Sequence, residues 1–197
     1  MIHVYGIVEE LSKLPQLTGV EGARLDRRCL GGLELVTSDR AEAEVTQEAV
    51  LDHAAVVDEL MSRSATVLPA QFGRPFGDER ELSVAILARA ETLAWGLDRV
   101  RGCVEFGVRI AGPADAPAAG SGFAYMRKLL AQERAATKIR EPLEALSRSS
   151  TPGAYLVQKE SVSAFREAVE RLAADQGELT VVCTGPWPPY SFGAEAA

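Results

Sequence analysis

The side chains best suited to catalysis or metal binding are few and far apart in this chain. There are two histidines, His3 and His53, and three cysteines, Cys29, Cys103 and Cys183. A zinc site draws ligands at short spacings such as Cys-x-x-Cys or His-x-x-x-His, and neither occurs. Thiols scattered over three predicted elements read as small buried cysteines in a reducing compartment. His3 lies in a predicted strand and His53 in a predicted amphipathic helix. No Gly-x-Ser-x-Gly turn supports a Ser/His/Asp set, so His53 is expected as a helix residue hydrogen-bonded near the core. Glu42, Glu44 and Glu48 spread along a helix entry without a calcium-loop pattern, and suit the positive end of that helix. Gly120-Ser121-Gly122 could offer backbone N–H groups to an anion. It lacks the strand and glycine spacing of a phosphate loop, so a flexible helix entry is expected. The residues therefore predict no catalytic set, no metal site and no cofactor.

The bulk properties narrow the class further. The chain has 197 residues, 47% hydrophobic and 25% charged, which suits one large or two small domains with a real core. The net charge of −7 is the wrong sign for a general nucleic-acid binder. Arg24 and Arg27-Arg28 are interrupted by Asp26 and read as a solvated turn. No apolar run approaches the ~20 residues of a membrane helix, and no basic-then-apolar leader opens the chain. A soluble cytoplasmic protein is expected, with neither membrane nor nucleic acid as a partner.

The elements that position these residues follow from periodicity. Ile2 to Val8 is β-branched and aromatic and predicts a strand. Leu11 to Arg28 reads as a loop. Leu33 to Thr37 predicts a second strand, and the segment before Gly31-Gly32 can pair with it as a hairpin. Thr46 can cap a helix reaching about Ser62, with Val50, Ala54, Val57 and Met61 on one face. Val67 to Phe72 predicts a strand, and the prolines that flank or follow it mark an edge or a strand end. Asp78 opens a long helix whose stripe runs Leu82, Ile86, Leu93, Leu97, Val100, and Gly102 follows it. Trp95 falls off that stripe. Val104, Phe106, Val108 and Ile110 alternate on one strand face. Residues 111–122 are linker-like. From Phe123 a second long helix carries Tyr125, Leu129, Ile139, Leu143 and Leu146, and Pro142 is expected to kink or restart it. Such helices are longer than a five-residue strand can cover, so part of a stripe can project. Ala154 to Gln158 predicts a strand. Ser161 caps a helix with Phe165, Val169 and Leu172 inward, and Gly177 ends it. Leu179 to Cys183 is the last predicted strand.

The resulting class is α+β, with two small α/β-layer domains at 1–102 and 103–197. The second reads as a split β-α-β layer with helices on one face. After the last strand comes Gly185-Pro186-Trp187-Pro188-Pro189-Tyr190-Ser191-Phe192. Three prolines in four positions forbid a helix and exclude a central strand, leaving an extended track. It carries Trp187, Tyr190 and Phe192, which must pack back on the body or be held for a partner. Gly185, Pro186, Trp187, Pro188, Pro189, Tyr190 and Phe192 are therefore the candidate structural or partner-binding motif.

This tail, after a short apolar strand, resembles the C-terminal signature of gas vesicle accessory proteins of the GvpF/GvpL family. His3 to Val8 is similar to that family's opening strand. Ala65 to Gly73 resembles its Leu-Pro-x-x-Phe-Gly segment, with a departure at Ala70-Gln71, where the family has an apolar residue followed by arginine. Phe123 to Met126 and Ala154 to Val157 resemble a later helix start and strand. These matches run in family order over nearly the whole chain. The resemblance implies two α+β domains, the C-terminal one a modified ferredoxin-like fold. It also implies a non-enzymatic accessory role in gas vesicle formation, with the shell protein (GvpA-type) and other gas vesicle accessory proteins as partners. The expected mechanism is stoichiometric binding that keeps the apolar shell protein from aggregating. A small-molecule-binding or catalytic ferredoxin-like domain is the alternative.

Overall fold

The computed structural model describes residues 1–40, 45–73, 75–112, 122–175 and 179–193. Glu42, Glu44, Gly120, Ser121, Gly177 and nearly all of the linker-like stretch lie outside the described residues. The chain divides into two units, one formed by Met1–Cys103 with the stretch from Trp187 onward, the other by Val104–Pro186. The fold is mixed α+β with two four-stranded sheets. The sequence reading puts the whole Pro/aromatic tail in the C-terminal domain; the contacts keep Gly185 and Pro186 there and group the stretch from Trp187 onward with the N-terminal unit.

In the first unit β1 (Ile2–Glu9), β2 (Leu25–Leu30), β3 (Leu33–Asp39) and β4 (Thr66–Pro69) form an antiparallel sheet in the order β2-β3-β1-β4. The stretch read as a loop to Arg28 thus already contains β2. Its alternation is weak because it is an edge strand with Asp26, Arg27 and Arg28 on it. Leu30 pairs with Leu33 across Gly31-Gly32, whose φ values of 57° and 79° are those of a type I′ hairpin turn. β4 is the other edge and ends at Pro69, short of Phe72, because proline has no N–H for the ladder.

Helix α1 (Gln47–Arg63) starts at Thr46, whose hydroxyl accepts from Ala49 N–H at 3.0 Å. Its inward stripe is Ala49, His53, Val56, Val57 and Leu60. That is rotated from the expected face, and Val50 is exposed. The rotation turns His53 into the sheet. The helix packs on β1 and β4, with Tyr5, Val8, Val20, Leu25, Val36 and Val67 completing the core.

The long helix expected from Asp78 is two helices, α2 (Glu79–Leu87) and α3 (Ala90–Val100). Asp78 caps the first, accepting from Glu81 N–H at 2.8 Å. The chain turns at Ala88-Arg89, and Leu82, Ile86, Leu93, Leu97 and Val100 stay inward across the turn. A turn that preserves the stripe leaves no mark in the periodicity. Short helix α6 (Tyr190–Gly193) packs beside α3 and β4.

The second unit runs β5 (Cys103–Ala111), α4 (Gly122–Ala145), β6 (Ser149–Thr151), β7 (Ala154–Gln158), α5 (Val162–Asp175) and β8 (Thr180–Trp187). Strand order is β6-β7-β5-β8. β6 was not foreseen. It is a three-residue Ser-Ser-Thr strand, paired antiparallel to β7 through a turn whose Gly153 has φ of 82°. Pro142 does not divide α4, which ends three residues later at Ala145. Phe106, Ile139, Leu143, Tyr155, Leu156, Phe165 and Val169 form the core, with Phe106 and Phe165 ring centroids 5.1 Å apart. β8 is an edge strand, which is why it tolerates Pro186 and runs on past Cys183.

Candidate functional site

The two histidines, fifty positions apart in the chain, meet. His3 on β1 and His53 on α1 are both buried, and His3 Nε2 lies 2.8 Å from His53 Nδ1. His53 Nε2 lies 2.9 Å from the carbonyl oxygen of Ala70. A carbonyl only accepts, so His53 carries its proton on Nε2. Its Nδ1 is then an acceptor, and His3 Nε2 must donate to it. The relay runs His3 to His53 to the backbone just after β4, with both rings neutral. Burial is the main reason that the pKa of His3 is pushed down to about 3, with His53 and Arg40 adding to it and Glu21 opposing. Burial also lowers His53, against the bond to Ala70.

The surroundings are aromatic and tightly fitted. Tyr5 stacks on His53 with centroids 5.3 Å apart, and Phe72 sits edge-on to the same ring at 5.6 Å. The Tyr5 hydroxyl accepts from Val20 N–H at 2.8 Å and shares a hydrogen bond with Ser38 Oγ at 2.9 Å. Arg40 is buried, pairs with Glu21 at 2.7 Å and lies over Phe72. Burial raises the Tyr5 pKa, so the phenol stays protonated. The cluster is a set of mutual hydrogen bonds that consumes the histidine donors internally. Such a set holds β1, α1 and the end of β4 in register.

The cysteines do not join it. Cys103 is buried, Cys183 is partly buried with its thiol pKa raised by burial, and Cys29 is exposed, contrary to the expectation of three buried thiols. Among the described residues no group of His, Cys, Asp and Glu is arranged to hold a metal ion. Among the same residues no helix is long and apolar enough to cross a membrane.

On the other face of β4 a groove opens. Strand alternation sends Val67 to the α1 core and Leu68 into the groove. Ile7, Pro69, Phe76, Ile86, Leu93 and Tyr190 line it, with His3, Gln71 and Arg89 as its polar members. Its volume is about 240 Å³. Sequence reasoning missed both the relay and the groove. Each depends on strand pairing and on the turn between α2 and α3, which local patterns do not encode.

The candidate tail residues are split by the fold. Gly185 and Pro186 belong to β8, where the carbonyl of Gly185 accepts from Arg166 at 2.8 Å. Pro188 and Pro189 are buried, and their carbonyls accept from Tyr190 N–H and Phe192 N–H in the turn that starts α6. Phe192 is buried under Arg99, and Tyr190 packs against the α1 core and walls the groove. Trp187 is 48% exposed, so this aromatic does not pack back as the other two do.

The family of the Gas vesicle synthesis protein GvpL/GvpF matches residues 1–151 and 118–194. Gas vesicle protein F2 of Halobacterium salinarum is 31% identical, over 100% of this chain and 95% of that protein. Gas vesicle protein F1 of the same organism is 29% identical over 97% of this chain and 92% of its own length. The crystal structure of the gas vesicle protein GvpF from Anabaena superposes with a TM-score of 0.80 at 17% identity, over 98% of this chain and 95% of that one. The GvpF structure from Microcystis aeruginosa gives 0.75 at 16% identity, over 98% of both chains.

Proposed function

We infer from the chain's membership of the GvpL/GvpF family, which makes it a gas vesicle accessory protein, that it binds the hydrophobic shell protein (GvpA-type) and keeps it from aggregating before assembly. A shell that lines a gas space is built from unusually apolar chains, and such chains aggregate in water unless a soluble partner covers them. The observation that carries the reading is the groove beside edge strand β4, whose lining is mostly aliphatic and aromatic. Apolar side chains or a short segment of a partner fit such a surface. The chain's most reactive groups support binding over turnover, because His3 and His53 spend their protons on each other and on Ala70.

Omitting this chain from a reconstituted gas vesicle cluster tests the proposal. Buoyant vesicles should be lost or sharply reduced while shell protein is still made and moves to the insoluble fraction. Normal vesicles without the chain, and without a substitute for it, would overturn the reading.

A further inference from the structure

Helix α4 carries an apolar face that its own unit covers only in part. Leu129, Ala136 and Leu143 recur at seven-residue steps and so lie on one stripe. Leu143 and Ala136 are buried, whereas Leu129 is exposed. Tyr125 and Ile139 repeat the pattern, the first exposed and the second fully buried. The stripe that anchors the C-terminal half of the helix therefore continues uncovered along its N-terminal half. Phe123, Met126 and Leu130, at steps of three and four, widen it. Phe123 is 78% and Leu130 54% exposed, and these uncovered side chains adjoin one another along the helix instead of being scattered singly.

The flank of this face is basic in an acidic chain. Arg127 and Arg134 are seven residues apart, and Lys138 follows by four, giving one exposed row beside the apolar stripe. Among the described residues these three make no ion pair, whereas Glu133 is already paired with Arg140 at 2.7 Å. The whole chain carries −7.

We propose that the N-terminal half of α4 docks an amphipathic helix of a partner protein whose apolar face is flanked by carboxylates. Apolar contact along Phe123, Met126 and Leu130 supplies the adhesion, and the Arg127-Arg134-Lys138 row selects the acidic flank and the orientation. A second copy of this chain fits less well, since a two-fold pairing of α4 with itself sets the basic rows against each other. The proposal stands apart from the groove and from the shell-holding role.

The test uses two fluorescent helical peptides of roughly five turns, with leucines along one face and flanks of either glutamate or lysine. Anisotropy of the full chain should show saturable binding of the glutamate peptide that weakens with salt, and none of the lysine peptide. Arg127→Glu/Arg134→Glu/Lys138→Glu should lose at least about tenfold in affinity for the glutamate peptide and gain the lysine one. Met126→Ser/Leu130→Ser should bind neither peptide. All variants should keep the wild-type melting temperature, because the altered side chains are exposed. Failure of the glutamate peptide to bind, or equal binding of both peptides, would overturn the proposal. So would a concentration-dependent dimer abolished by Leu130→Ser, or binding to anionic lipid vesicles alone.

Discussion

His3 donates its Nε2 proton to Nδ1 of His53, 2.8 Å away, and protonation of both rings at once would abolish the bond. Burial holds the folded pKa of each histidine below its unfolded value. The contribution of His3 to stability is complete above the unfolded pKa of 6.5 and is lost as the pH falls from there toward about 3, and that of His53 falls in the same direction. The unfolded state binds protons in that window and the folded state does not. His3 should cost up to about 1.4 kcal/mol per pH unit below 6.5, and His53 adds to the loss in the same direction. Urea unfolding at pH 7.5 and 5.5 measures it. A His3→Phe/His53→Leu variant should lose the slope across that range, whatever its absolute stability, and an unchanged slope would refute the neutral relay.

Gly19 permits the close approach of the Tyr5 hydroxyl, since a Cβ there would overlap it. Gly19→Ala must displace Tyr5 from Val20 and Ser38, and should destabilise by about 1–3 kcal/mol. Gly122→Ala is the control, because nothing lies near its would-be Cβ and it sits in a helix. Thermal melts should separate the two, and equal melts would dismiss the Tyr5 contact.

The tail aromatics should differ in weight. Phe192 is buried, and Phe192→Ala should cost about 3 kcal/mol or more. Trp187 is half exposed, and Trp187→Ala should cost under about 1 kcal/mol. Calorimetry that reversed this ranking would show that the tail does not sit as described. A stable Trp187→Ala variant that fails in vesicle formation would assign the indole to a partner.

Much of the layer pattern was legible because it is local. The alternation of Val104, Phe106 and Val108, the cap at Thr46 and the Gly31-Gly32 turn each announce their element within a few residues. The overhang of α4 was also foreseeable from its length against short strands. What was not legible depends on distance or on silence. The His3–His53 bond joins residues whose proximity only the β1–α1 packing creates. The break between α2 and α3 keeps its apolar stripe in phase. β6 is too short and too polar to register. The tail's aromatics declared that they need cover, but not that Trp187 would go without it or that Phe192 would join the N-terminal unit.

Under the proposed function this chain holds shell protein in proportion to its own amount. Co-expression at graded levels, with quantification of soluble shell protein co-purifying with it, measures that directly. Soluble shell protein should rise linearly with this chain to a fixed ratio, as a holder without turnover requires. Shell protein that stays insoluble at every level would rule out stoichiometric holding, and so would full solubility at trace amounts.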